Sequence, residues 1–152
     1  MGAAFFYKLT RNPVETTLPI LLEKASAAGW RVLIRGTERE RLEKLNELLW
    51  LKPAEGFLPH GMSGTKYDSY QPVLLTIDSP PVNEARCLMC INEADVTARE
   101  TNDMERVCIL FDGNSPAELN HARNQWKTLV AAGCEAQYWS EEKGKWHMVK
   151  KS

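Results

Sequence analysis

The sequence predicts an α/β protein of three layers, α/β/α, with a mixed but mostly parallel sheet between two helical layers. Three observations predict it. Short β-prone runs alternate with amphipathic helical stretches along the chain, the pattern of strand–helix–strand units. Arg106 to Phe111 is a nearly unbroken apolar run, as expected of a parallel strand buried on both faces. The 152 residues fit a single domain, long enough to bury its core without disulfides or metals.

Ala3 to Leu9 is short and aromatic and reads as the first strand, followed by a turn at Arg11-Asn12-Pro13. From Val14 to Ala28 the residues Val14, Leu18, Leu21, Leu22 and Ala25 recur at helical spacing, with Gly29 as the stop. Pro19 lies inside this run, so the helix starts there or bends there. Trp30 to Ile34 is the second strand. Thr37 and Glu40 have capping-box spacing for a helix from Glu38 to Leu51, whose apolar stripe is Leu42, Leu45, Leu48 and Leu49. Glu40 and Lys44 on its other face can pair one turn apart.

A long connection over residues 50–72 follows, rich in Pro, Gly and aromatics. Connections of that length in one domain are functional or mobile. Pro72 to Ile77 and Ala85 to Ile91 read as strands, separated by Asp78-Ser79-Pro80-Pro81. After the strand Arg106 to Phe111, Ser115-Pro116-Ala117-Glu118 combines an N-cap serine, a first-turn proline and a capping glutamate. That helix runs to Ala132 and stops at Gly133. Cys134 to Trp139 is the last major strand, and Lys143-Gly144 turns into an edge strand, Trp146 to Val149.

Composition narrows the function. The chain is 43% hydrophobic and 26% charged, with a net charge of −1, which argues against a generally basic DNA-coating protein. No apolar run reaches the ~18 residues of a membrane span. The start lacks the basic region of a secretory signal, and Phe6 breaks the myristoylation pattern. A cytoplasmic protein with four reduced cysteines is the expectation.

Motifs for chemistry are sparse. There is no Gly-x-Gly-x-x-Gly and no P-loop, and Gly61-Met62-Ser63-Gly64-Thr65 lacks the P-loop lysine. Cys87 and Cys90 have metal or redox spacing, but three residues apart on a strand they face opposite ways. Cys108, Cys134, His60, His121 and His147 show no ligand-like pairing, so no metal and no cofactor is expected. No nucleophile, base and orienter come together in sequence, so no catalytic residue is assigned. His60 with the strand-end acids Asp78 and Asp112 would serve a small α/β enzyme or nucleotide binder in a crevice at the strand ends. Loop closure and turn formation explain the same residues.

Two patches suit binding better. Trp50, Leu51, Pro53, Phe57, Leu58 and Pro59 concentrate apolar side chains in and after a helix end. They form a protein–protein hot spot or fold back onto the core. On the helix from Ser115 to Ala132, Arg123 and Lys127 lie one turn apart beside Trp126. They suit an acidic, apolar peptide or a C-terminal carboxylate, or form the solvated edge of a helix with Trp126 in the core.

The residues resemble a family, the chi subunit of bacterial DNA polymerase III. The most specific stretch is Leu48-Leu49-Trp50, then Pro53-Ala54-Glu55, Phe57 and Pro59-His60. The opening Phe5-Phe6-Tyr7, Arg31 to Ile34 and the helix from Ala122-Arg123 to Ala132-Gly133 support it. The resemblance implies a Rossmann-like fold without a catalytic site. It implies an adaptor that joins the clamp loader through the psi subunit and binds the acidic C-terminal tail of single-stranded-DNA-binding protein, which ends in Pro-Phe. By that resemblance the tail site falls on Arg123, Trp126 and Lys127 with Phe111 nearby, and the psi site on Trp50, Pro53 and Phe57. Direct DNA contact should be weak or indirect, and no residues are expected to hold the two metals of polymerase chemistry. The stretch ahead of Asp112 and the connection Gly113 to Pro116 depart from the family pattern, so no further tail contacts carry over.

Overall fold

The alternation of strand and helix builds an eight-stranded sheet in the order β3-β4-β2-β5-β6-β1-β7-β8. The computed structural model describes residues 2–51, 60–77, 82–142 and 145–152. Its elements are β1 (Ala3–Leu9), α1 (Val14–Ala27), β2 (Val32–Arg35), α2 (Arg39–Leu51), β3 (His60–Met62), β4 (Val73–Thr76), β5 (Cys87–Cys90), α3 (Ala98–Asp103), β6 (Arg106–Asp112), α4 (Pro116–Ala131), β7 (Glu135–Glu142) and β8 (Lys145–Lys151). Every pairing is parallel except β7 with β8, which closes the edge as an antiparallel hairpin.

Strand alternation divides the core into two layers. Phe6, Leu33, Leu74, Leu88, Val107 and Ile109 point to the face that also buries Ala122 and Leu129 of α4. Val32, Ile34, Leu75, Met89 and Leu110 point to the other, with Leu18 and Leu22 of α1 and Leu42 and Leu45 of α2. The three-layer α/β/α architecture is therefore as the sequence predicts. Cys87 and Cys90 fall in different layers, as their spacing requires. Burial pushes the Cys90 thiol up to about 12, and Cys108 is pushed up by a hydrogen bond with Cys87 and by burial. Neither is a thiolate nucleophile near neutral pH.

Local chemistry sets the helix ends. Gly29 and Gly133, with φ of +80° and +87°, follow α1 and α4 in the left-handed conformation that glycine tolerates. Ser115 Oγ accepts from Glu118 N at 3.3 Å and starts α4, while the Glu118 carboxylate accepts instead from Asp112 N at 3.3 Å.

Several expectations are corrected. α1 starts at Val14 and runs through Pro19, which lacks the N–H to bond the Glu15 carbonyl. Thr37 does not cap α2: its hydroxyl donates to the Asn92 carbonyl at 2.6 Å, and the helix starts with Leu42 N bonding Glu38 O at 3.2 Å. The complete capping box belongs to Thr97 and Glu100, at the head of the unpredicted α3. The stretch read as one connection over 50–72 contains β3 and a short 3-10 turn at Asp68–Tyr70. Strands β4 and β5 are each shorter than predicted, at four residues.

Candidate functional site

α4 carries three stripes, because successive residues turn by about 100° around a helix. Ala122 and Leu129 are buried in the core. On one side of them His121 lies 2.6 Å from an Asp95 carboxylate oxygen, and Gln125 Oε1 accepts from Val96 N at 2.9 Å. These contacts fix the helix against the segment after β5. On the other side stand Arg123 and Lys127, both exposed, one turn apart. Neither makes a hydrogen bond or ion pair with the described residues.

Trp126 sits at the border of the core and cationic stripes and is half-buried. Its ring packs edge-on to Phe6 at 5.3 Å and to Tyr138 of β7 at 6.2 Å. Lys150 of β8 brings its Nζ to 5.2 Å from the Trp126 ring centre, a cation–π contact worth about 0.5–1 kcal/mol at an exposed site. Tyr138 is also half-buried. Burial raises its phenol above the usual range, while the nearby Arg123 guanidinium pulls it down. Phe111 is 3% exposed and lies in the core. Its ring supports Tyr138 edge-on at 5.9 Å, so Phe111 backs the surface and Tyr138 presents it.

The structure thus brings Arg123, Trp126 and Lys127 to one corner, with Phe111 beneath it. Sequence reasoning misses Lys150 and Tyr138. A β-bulge explains Lys150. Tyr138 pairs with Lys150 but Trp139 pairs with Met148, leaving Val149 as the extra residue. Without it Lys150 would lie opposite Gln137, on the other face. The arrangement offers three cations around a half-exposed indole and phenol, suited to an anionic chain end with an apolar side chain. The second predicted site, Trp50, Pro53 and Phe57, lies outside the described residues: 53 and 57 wholly, Trp50 by its side chain.

Of the residues of the enzyme-like alternative, the two that are described, His60 and Asp112, lie apart. His60 starts the edge strand β3, is buried, and its Nε2 lies 3.1 Å from Asn46 O. Asp112 ends β6, four strands away in the sheet, which is roughly 19 Å at ~4.8 Å per strand. Asp112 accepts from Asn114 N at 2.8 Å and forms the turn, and Asp78 lies outside the described residues. In the Gly61–Thr65 stretch two backbone donors are engaged by a carboxylate. The Asp68 carboxylate already accepts from Gly64 N at 2.9 Å and Thr65 N at 3.0 Å, and these bonds hold it below its ordinary range.

A crevice of about 340 Å³ does exist at the ends of β1 and β6. There the following helices, α1 and α4, leave for opposite faces, the place where α/β sheets hold ligands. Its lining sets Arg11 and Arg41 against Glu15, Asp112 and Glu118, a balance that disfavours an anionic phosphate. Burial, with Asp112 and Glu93 nearby, raises Glu118 against the pull of Arg41. Among the described residues no three His, Cys, Asp or Glu side chains converge as metal ligands. No described helix is long and apolar enough to cross a membrane.

Fold and corner together define an α/β domain whose mostly parallel sheet ends in a cationic, aromatic edge. Comparison with known families names it more closely. The family model described as DNA polymerase III chi subunit, HolC, matches residues 1–137, and the chain belongs to that family. It is also 29% identical over 76 residues to a probable DNA polymerase III subunit chi of Rickettsia prowazekii (strain Madrid E). That match covers 50% of this chain and 46% of the relative, so it spans about half the relative's length.

Proposed function

We propose that this protein is a non-catalytic adaptor of the DNA polymerase III holoenzyme. It links the clamp loader, through a psi subunit, to the C-terminal tail of single-stranded-DNA-binding protein in the cytoplasm. The observation that carries the reading is the α4–β7–β8 corner, where Arg123, Lys127 and Lys150 surround Trp126 and Tyr138. Arg123 takes the terminal carboxylate of the tail, Lys127 and Lys150 its acidic residues, and Trp126 with Tyr138 its last apolar side chain. Phe111 acts through Tyr138. The psi contact at Trp50, Pro53 and Phe57 rests on the family resemblance. Two separate docking surfaces on one chain add weak contacts through effective concentration. DNA is touched weakly or indirectly, in keeping with a net charge of −1.

The test is a fluorescence-anisotropy titration with a labelled acidic peptide ending in Pro-Phe. Arg123→Ala should weaken binding by about 2 kcal/mol, roughly 30-fold, through loss of a guanidinium–carboxylate pair. The same peptide with an amidated C-terminus should bind the unaltered protein about as weakly. An Arg123→Ala protein that binds like the parent defeats the reading. A clear rise in melting temperature with nucleotides would instead favour the strand-end crevice.

A further inference from the structure

The face of the sheet opposite α4 holds a hollow that the adaptor reading does not use. On that face α1 packs over β6 and α2 over β3 and β4. Between α1 and the β1–β7–β8 end of the sheet opens a cavity of about 250 Å³. Five aromatic side chains line it: Phe5 and Tyr7 of β1, Trp30, Trp139 of β7 and Trp146 of β8. Tyr7 and Trp146 meet edge-to-face at 5.4 Å. Among the described residues the lining contains two cations, Arg106 and Lys24, and no carboxylate.

Arg106 is the unusual group. Its guanidinium lies 4.3 Å from the Phe5 ring centre and 5.3 Å from that of Trp30. Two ring faces hold it, yet it makes no hydrogen bond or ion pair with any described residue. The neighbouring Glu105 is taken by Arg86 at 3.6 Å. Cation–π contacts compensate a guanidinium only in part for lost water. They leave its N–H edges free, and those edges match a planar carboxylate. The indole N–H groups of Trp30 and Trp146 and the Tyr7 hydroxyl likewise make no hydrogen bond among the described residues. A hollow rich in rings, with two cations and several unused donors, selects a flat apolar anion. The volume is below the roughly 300–1,000 Å³ of drug-sized sites and suits one ring system with a short acidic arm.

We propose that this hollow is a binding site for a small aromatic carboxylate, its ring against the aromatic wall and its carboxylate held by Arg106 and Lys24. The site is independent of the α4 corner and stands whether or not that corner binds a peptide tail.

Three probes of one ring system separate the contributions: indole-3-acetate, neutral indole and cationic tryptamine. They are titrated into the full chain with ¹⁵N-labelled tryptophan side chains, observed by NMR. Indole-3-acetate should shift the Trp30, Trp139 and Trp146 indole signals, leave Trp126 in place, and bind about tenfold or more tightly than tryptamine. Indole should fall between the two. Arg106→Gln should weaken the acid by about tenfold. Because Arg106 also packs on two rings, Lys24→Gln on the exposed side of α1 provides a variant that leaves the core intact, and it should weaken the acid about threefold. The proposal is overturned if tryptamine binds as well as the acid, if the shifts centre on Trp126, or if Lys24→Gln and Arg106→Gln both bind the acid like the parent.

Discussion

The two halves of the sheet are built from different side chains. The β4–β2–β5 half is aliphatic: Val32, Leu33, Ile34, Val73, Leu74, Leu75, Leu88 and Met89 are all at most 1% exposed. The β1–β7–β8 half is aromatic. There Phe5, Tyr7, Tyr138, Trp139 and Trp146 are only partly buried, with cations Arg106, Arg123 and Lys150 among them. Aliphatic strands covered on both faces carry the stability. Half-exposed rings beside unneutralised cations form surfaces that a partner or ligand can complete. The comparison teaches that the cohesive core and the proposed binding surfaces are separated along the sheet, so changes in one half should leave the other's property intact.

The largest expected effect comes from cutting a cavity in the aliphatic half. Leu74 is fully buried in the middle of β4, and Leu74→Ala should destabilise the fold by about 2–5 kcal/mol in urea denaturation. Where the variant is still folded, its affinity for a Pro-Phe-ending peptide should match the parent's. A matched loss of affinity would break the division between the halves.

A smaller effect belongs to the ion pair at the end of β2. Arg35 Nη2 lies 2.7 Å from Glu100 Oε2, with side chains 13% and 30% exposed. The hydrogen bond from Arg35 holds the Glu100 carboxyl below its ordinary range against the opposing effect of burial. A lowered folded-state pKa contributes stability above the unfolded value, and that stability is lost as pH falls through the folded value. Glu100→Gln should therefore cost about 1 kcal/mol at pH 7, a figure already reduced for partial solvent screening. The deficit should shrink at acid pH, where the parent loses the same charge. A deficit independent of pH would assign the loss to packing at the head of α3 rather than to the pair.

Legibility in the sequence follows the same physics. β1, β6 and α4 are readable because their signals are local: apolar runs, an N-cap serine, a first-turn proline and glycines after the helix ends. Thr37 and Thr97 have the same box spacing, and only Thr97 closes its box, while the Thr37 hydroxyl points to the Asn92 carbonyl, 55 residues away in the chain. That contact is tertiary and leaves no local trace. β3 has three residues and no β-prone pattern, and its pairing with β4 creates it. At the site, Arg123, Trp126 and Lys127 are visible from helical spacing. Tyr138 and Lys150 are not, since a strand's inward face depends on register, and register here depends on a bulge.

That bulge makes the smallest prediction the sharpest for the comparison. Tyr138 and Lys150 of the corner both lie beyond residues 1–137, the span that the family model matches, so a Lys150 variant tests a part of the corner that the family match does not cover. Lys150 stands over Trp126 on the same face as Tyr138. If the cation serves an acidic tail, Lys150→Ala should weaken the Pro-Phe peptide by about 0.5–1 kcal/mol, roughly two- to fivefold. The loss should fade as salt rises, because exposed charges are screened over about 8–10 Å at ordinary ionic strength. Stability should change by less than about 0.5 kcal/mol, since the side chain is exposed on an edge strand. Equal affinity of Lys150→Ala and parent at low salt would confine the corner to α4 and β7. A loss that persists at high salt would mean that the lysine stem, lying across the indole, matters for its packing rather than its charge.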